Sequence, residues 1–385
     1  MYRNKKNLLF VVNDFTGGGA EKTLIEIAIS LKKRGWNIFF ITLLPGGEYL
    51  KVVKKNNFDY FCLNLKSPFF LINFVSLFNI FHKRKFNLIL SFLYWSNIFS
   101  RFLSFIFRVP LVNGMRNTDL WRTKFHTLID RYTFSGVKYY VSNSEAARLR
   151  LMSIEKINPK KIIVIKNGIN SKRFENLNSI LYHDKLLSKD LFIKKYASLN
   201  DMNIDSDTFF IGYAARFTEV KDPMTALESF ALFKKNHENS IFICVGKGPL
   251  EEKFMQRCAD LKIENAVVKT GFLDDLSLFY QSLDIFVLTS YWEGIPNTVL
   301  EAMYFGVPVA ACDSGGTSEL LVHGKTGYVI SSHKPSDIAE IWKNILNDRE
   351  FVLNASLQSK MRVRRFFSQN HMIDRYEDLF IEIIG

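Results

Sequence analysis

SYWEGIPNTVLEAMYFGVPVAACDSGG, residues 290–316, carries two glutamates, Glu293 and Glu301, eight positions apart. The apolar run Ile285-Phe286-Val287-Leu288 before it reads as a strand buried on both faces. After Pro296, the segment from Asn297 to Phe305 has helical periodicity, with Asn297 or Thr298 suited to the N-cap and Gly306 just past the end. A strand that feeds directly into a helix is where α/β proteins hold anionic ligands, because first-turn N–H groups and the helix dipole point at them. Glu301 falls just over one turn inside that helix and Glu293 in the loop before it, a placement suited to bracketing one polar ligand. The strand Val307-Pro308-Val309-Ala310-Ala311 and the turn Ser314-Gly315-Gly316, with Glu319 behind it, complete a crevice of nucleotide size.

This block resembles the E-x7-E signature of the family-4 retaining glycosyltransferases, with EGIPNTVLEAM followed by GVPV and GG-x-x-E. Other stretches match in the family's order: GGAE at Gly18–Glu21, NGI at Asn167–Ile169, R-x4-K at Arg216 and Lys221, and GKGP at Gly246–Pro249. The resemblance covers nearly the whole chain, strongest over 209–330 and weakest over 45–135. It implies an α/β protein of GT-B type, with two Rossmann-like domains facing each other across a central crevice. Residues 1–175 are then an acceptor- and membrane-facing domain and 208–367 a nucleotide-sugar-binding domain. The polar, patternless stretch 176–207 reads as a linker, and 368–385 as a helix crossing back to the first domain. The Gly-rich turn after the first strand lacks the G-x-G-x-x-G fingerprint, which counts against a dehydrogenase.

By the same resemblance, Glu293 lies at the transferred sugar, Arg216 and Lys221 grip the donor diphosphate, and Glu301 binds the ribose hydroxyls. Gly294, Ile295, Asn297 and Thr298 face sugar or phosphate, Gly271 and Phe272 meet the base, and Gly18 and Gly19 form the ligand loop of the first domain. Pro296 has no N–H and shapes the loop instead of donating. Charge chemistry agrees with the cationic pair: a departing diphosphate gains negative charge, and two cations stabilise it without a metal. No metal and no cofactor is expected. Near the fifth strand, where many family members carry a histidine, this chain has Arg116 and Asn117, which are expected at the acceptor. His126 a few residues on is expected to be structural or exposed.

Composition sets outer bounds. A chain of 385 residues can bury two cores. Four cysteines lie far apart without metal-ligand spacing, which fits a reduced cytoplasmic protein without structural zinc or disulfides. Net charge is +13, but residues 1–200 hold 33 Lys/Arg against 12 Asp/Glu, and 201–385 hold 18 against 26. The first half is expected either to face something anionic, a membrane surface, a phosphorylated acceptor or nucleic acid, or to present a basic face to solvent. No nucleic-acid motif accompanies that charge. The most apolar stretch, Pro68 to Phe81, is shorter than the roughly 20 residues a span needs. A helix over Pro68–Lys85 reads either as core packing or as an interfacial element among lipid headgroups. The expected partners are a nucleotide-sugar donor, a polyprenyl-linked glycan acceptor and an anionic membrane surface, with the protein peripheral on the inner face of the cell membrane. A catalytically silent nucleotide-sugar binder, a GDP-mannose-using transferase and a phosphorylase are the alternatives.

Overall fold

The structure, a computed structural model, describes residues 6–67, 70–116, 123–171, 174, 184–196 and 204–385. The chain divides into two compact units, one of residues 1–167 with 370–385 and one of residues 168–369.

The first unit is built on a seven-stranded parallel sheet: β1 (Asn7–Val12), β2 (Asn37–Thr42), β3 (Asp59–Cys62), β4 (Leu88–Phe92), β5 (Leu111–Met115), β6 (Tyr139–Ser142) and β7 (Ile162–Val164). Its order is β3-β2-β1-β4-β5-β6-β7. Continuous apolar runs form these strands because helices cover both faces. In β1, Leu8, Phe10 and Val12 enter one core cluster while Leu9 and Val11 enter the other, the period-two alternation of a strand buried twice.

Helix Gln369–Ile384 belongs largely to this unit. Met372, Ile373, Tyr376, Leu379 and Phe380 recur on one helical face and pack into the cluster that holds Leu8 and Phe10. Arg34 pairs with Asp374 at 2.7 Å and with Glu377 at 2.5 Å, and the Trp36 indole donates to Glu377 at 2.8 Å.

The second unit repeats the theme with six parallel strands: β8 (Phe209–Ala214), β9 (Ser240–Val245), β10 (Val267–Gly271), β11 (Ile285–Leu288), β12 (Val309–Cys312) and β13 (Gly327–Ile330). The order is β10-β9-β8-β11-β12-β13. The chain moves outward from β8 in one direction, then crosses to β11 and moves outward in the other. That reversal opens a crevice at the carboxyl ends of β8 and β11, where ligands bind in such sheets.

Two features of the interval between the units differ from the sequence expectation. The chain leaves the first unit after Asn167 rather than near 175. Phe174 is buried in the second unit, with its ring 5.2 Å from Tyr304 and 5.0 Å from Phe305. Part of the expected linker is folded: helix Lys185–Tyr196 buries Phe192 and Ile193 in the second core. The polar look of this helix comes from its exposed face. Its buried Lys189 pairs with Asp284 at 2.7 Å and lies over the Phe210 ring.

Cys62, Cys244, Cys258 and Cys312 are free thiols, and burial pushes Cys258 and Cys312 up to about 12. Near neutrality Cys258 and Cys312 stay protonated. Among the described residues, no helix is long and apolar enough to cross a membrane.

Candidate active site

The crevice of the second unit gathers residues that lie far apart in sequence. Lys221 follows β8 in a short 3-10 turn, Glu219–Lys221, and Glu293 follows β11. Their side chains meet, Lys221 Nζ to Glu293 Oε1, at 2.5 Å. Ser290 Oγ donates to the same carboxylate oxygen at 2.8 Å. Both partners are mostly buried, so the pair is held against solvent screening.

Backbone and side-chain bonds stitch these two strand-end loops together. Tyr291 N donates to the Val220 carbonyl at 2.9 Å, and Thr289 Oγ1 donates to the Asp222 carbonyl at 2.6 Å. Tyr213 OH donates to the Lys221 carbonyl at 2.9 Å. Asp222 takes a left-handed conformation and caps helix Pro223–Lys234 through Thr225 N. Lys221 is thus fixed from three sides.

A third loop supports Glu293. Its N–H donates to the Ser314 carbonyl at 2.8 Å, and its carbonyl accepts from Gly316 N at 3.2 Å. At Gly316 a Cβ atom would land inside the carbonyl group of Gly294. Only glycine permits that approach, which is why the Gly315-Gly316 turn faces the Glu293-Gly294 loop so closely.

The helix after the loop runs Asn297–Phe305 and ends on left-handed Gly306. Its N-cap is Pro296, not the expected Asn297 or Thr298, and Pro296 itself makes no side-chain cap bond. Proline holds the extended backbone of a cap position but offers no side-chain acceptor. The amides of Asn297 and Thr298 are therefore first-turn groups, with the positive end of the dipole. Glu301 is buried within this helix and accepts from Tyr280 OH at 3.2 Å.

Arg216 lies two residues past β8, exposed, and its guanidinium makes no hydrogen bond or ion pair among the described residues. The turn beside it is locked by glycine: Gly246 has a positive φ of 136°, and its N–H donates to the Gly271 carbonyl at 2.8 Å. Phe217 N in turn donates to the Lys247 carbonyl at 3.0 Å. Gly271 and Phe272 follow at the end of β10, Gly271 buried and Phe272 half-buried. Gly294 and Ile295 are buried in the loop between Glu293 and the helix.

The remaining expected residues belong to the first unit. Gly18 is the N-cap of helix Gly19–Lys33, which also lacks a side-chain cap, and the buried Glu21 carboxylate fills the space a Gly18 side chain would need.

Arg116 is placed differently from the expectation. It is buried at the end of β5, with Nη1 donating to Asn167 Oδ1, Nη2 donating to Tyr376 OH at 3.0 Å, and the guanidinium 4.3 Å from the Phe92 ring. Burial pushes its pKa down from the ordinary arginine value. Arg116 ties strand, loop and C-terminal helix together inside the unit, so it is a positioning residue and not a surface cation. Arg116→Glu is expected to destabilise the first unit by about 3 kcal/mol or more, because it buries a carboxylate beside an aromatic ring. A thermal melt checks this. Asn117 lies outside the described residues. His126 serves structure: its Nδ1 accepts from Thr123 N at 3.1 Å in a capping box.

Sequence reasoning overlooked Ser290, Thr289, Asp222 and Tyr280 as supports of the site. Ser290 stood within the quoted stretch, three residues before Glu293. Tyr280 gives no local signal at all. The chain also contains one Asp-x-Asp triplet, Asp205-Ser206-Asp207, just before β8 and so at the amino end of that strand. Asp205 accepts from Thr208 and Asn239 there, a turn-holding role at the opposite end from Glu293.

Comparison with known proteins agrees with this architecture. A family profile described as "Glycosyltransferase Family 4" matches residues 17–173, and one described as "Glycosyl transferases group 1" matches residues 196–362. The chain is 24 % identical over 243 residues to the Vi polysaccharide biosynthesis protein VipC/TviE of Salmonella typhi, covering 62 % of this chain and 39 % of that protein. It is 24 % identical over 232 residues to the UDP-Gal:alpha-D-GlcNAc-diphosphoundecaprenol alpha-1,3-galactosyltransferase of Escherichia coli, covering 59 % of this chain and 56 % of that one. The chain thus spans under two thirds of either relative. Anabaena Alr3699/HepE in complex with UDP-glucose superposes with a TM-score of 0.83 at 18 % identity, covering 98 % of this chain and 99 % of that one.

Proposed function

This chain belongs to the family-4, group 1 glycosyltransferases of GT-B fold, and we propose that it moves a hexose or N-acetylhexosamine from a UDP-sugar to a lipid-linked glycan. The family uses nucleotide sugars, and its members retain configuration at the anomeric carbon. The observation that supports the finer reading is the Lys221–Glu293 pair, held where the loops after β8 and β11 meet and just ahead of the helix that begins at Asn297.

In this reading Arg216, Lys221 and the amides of Asn297 and Thr298 receive the donor diphosphate. Cations and first-turn N–H groups are suited to the charge that builds on it as the glycosidic bond breaks. Glu301 takes the ribose hydroxyls, and Glu293 takes hydroxyls of the sugar being transferred. The acceptor hydroxyl attacks the anomeric carbon on the face the diphosphate leaves. Its proton passes to a diphosphate oxygen, so no protein nucleophile is needed. Arg216 and Lys221 supply the charge that a metal supplies elsewhere.

UDP is favoured over GDP because UDP-glucose is the ligand of the Anabaena structure and UDP-Gal appears in the name of the Escherichia coli relative. The latter name also supports a diphosphate-linked polyprenyl acceptor. The strongly basic first half gives such an acceptor, and the inner membrane face that presents it, a complementary surface. Incubation with labelled UDP-hexoses and polyprenyl-diphosphate sugars tests the reading. Label moving into the lipid phase from a UDP-sugar supports it. Transfer only from GDP-mannose redirects the donor, and nucleotide binding without any transfer favours a silent binder.

A further inference from the structure

Helices Phe70–Arg84 and Tyr94–Phe107 pack side by side through aromatic rings. Phe74 meets Phe99 at 6.1 Å, Phe78 meets Phe107 at 5.1 Å, and Phe81 stacks on Phe107 at 3.9 Å. Those contacts use one face of each helix. The outward faces are apolar too. Ile72, Val75 and Phe78 recur every third residue on one helix, while Phe102, Phe105 and Ile106 form a stripe on the other. Phe105 is 86 % exposed. An ordinary surface helix turns charged groups outward, and a contiguous exposed apolar patch marks an interaction surface.

The charge around the patch identifies what it meets. No Asp or Glu occurs from Tyr60 to Thr118. Exposed cations border the stripe: Lys83 and Lys85 stand at the end of the first helix, where Arg84 pairs with Asp59 at 2.9 Å, and Arg108 follows the second. The neighbouring helix Lys124–Thr133 exposes Phe125, Leu128 and Tyr132. Its one carboxylate, Asp130, is buried against Arg101 at 2.7 Å. A cavity of about 560 Å³ at the basic end, lined in part by Phe78, Phe81, His82, Lys85 and Phe107, sets an aromatic floor under a basic rim.

We propose that this face docks on the surface of an anionic phospholipid bilayer, aromatic rings at headgroup depth and cations against the phosphates. A second copy of the same face fits poorly, since it would oppose like charges. The helices lie on the membrane and do not cross it. The proposal extends the membrane-side acceptor suggested above but needs no sugar chemistry, so the two can fail separately.

Flotation of the full chain with phosphatidylcholine vesicles, with and without phosphatidylglycerol, tests it. Wild-type protein is expected to float with the anionic vesicles and to release with added salt. The double variant Val75→Asp/Phe105→Asp is expected to lose at least about tenfold in partitioning, with an unchanged thermal midpoint because both side chains are exposed. Lys83→Gln/Lys85→Gln should weaken binding to anionic vesicles only. Failure of the wild type to float, or flotation undiminished in the aspartate variant, overturns the proposal. So does a wild-type dimer that the aspartate variant converts to monomer, which would assign the face to a second copy.

Discussion

Glu293→Ala is expected to lower kcat for sugar transfer by about 100- to 1,000-fold, the scale of losing one preorganised polar group at a reacting centre. The carboxylate holds the Lys221 ammonium at 2.5 Å and accepts from Ser290. In the proposed donor site, alanine removes the group assigned to the transferred sugar and frees the cation assigned to the diphosphate. KM for the donor should change less, because in that proposed site Arg216 and the helix amides still meet the phosphates. Glu293→Gln keeps the shape and both hydrogen-bond partners but not the charge, so an intermediate loss is expected. Steady-state kinetics on the two variants check this. Equal and small effects in both would show that the charge at Glu293 does not serve the reaction.

Gly316→Ala is the second large effect. The added Cβ would occupy the place of the Gly294 carbonyl, and backbone on backbone has no side-chain end that can swing aside. Either the Gly315-Gly316 turn or the Glu293-Gly294 loop must move. The bonds from Gly316 N to Glu293 O and from Glu293 N to Ser314 O would go with it. A displacement of about 1 Å at reacting groups can cost roughly 100-fold, and kcat/KM is expected to fall by about that factor. Because the turn lies at the sheet's edge and not in its core, the thermal midpoint should fall only slightly. A parallel measurement of melting and kcat/KM separates a local shift from unfolding.

Both predictions rest on residues that the sequence made legible, and the reasons are physical. Parallel strands buried on two faces leave uninterrupted apolar runs such as Leu8–Val12 and Ile285–Leu288. A strand, glycine turn and helix at the end of such a run must lie at the sheet's carboxyl edge. Glu293, Glu301, Arg216 and Lys221 could therefore be assigned to that edge from spacing together with family resemblance. Which of them touch was hidden, since Lys221 and Glu293 are 72 positions apart and only the β8–β11 pairing unites them.

The buried setting of Arg116 was hidden for a related reason. Its partner Tyr376 stands 260 residues away, and nothing local distinguishes a buried arginine from a surface one. The N-cap was misassigned because side-chain preference favours Asn and Thr, whereas the loop fixes Pro296 in the extended conformation first. The outward aromatic stripe was unreadable as such: Tyr94–Phe107 buries Ser96, Asn97, Ser100 and Arg101 and exposes Phe102, Phe105 and Ile106, the reverse of what its hydrophobic periodicity suggests. Only the packing of Phe74 and Phe81 on one side shows which residues are left outside.

The most direct test of the donor site is the thermal stability of the full chain with UDP, UDP-glucose, GDP and ADP, each with and without EDTA. At about 100 times its dissociation constant, a ligand that binds only the folded state stabilises it by roughly 2.7 kcal/mol. The account predicts a rise in Tm with UDP and UDP-glucose that EDTA leaves unchanged, because Arg216, Lys221 and the helix amides meet the diphosphate without a metal. An unchanged Tm with all four nucleotides would contradict it.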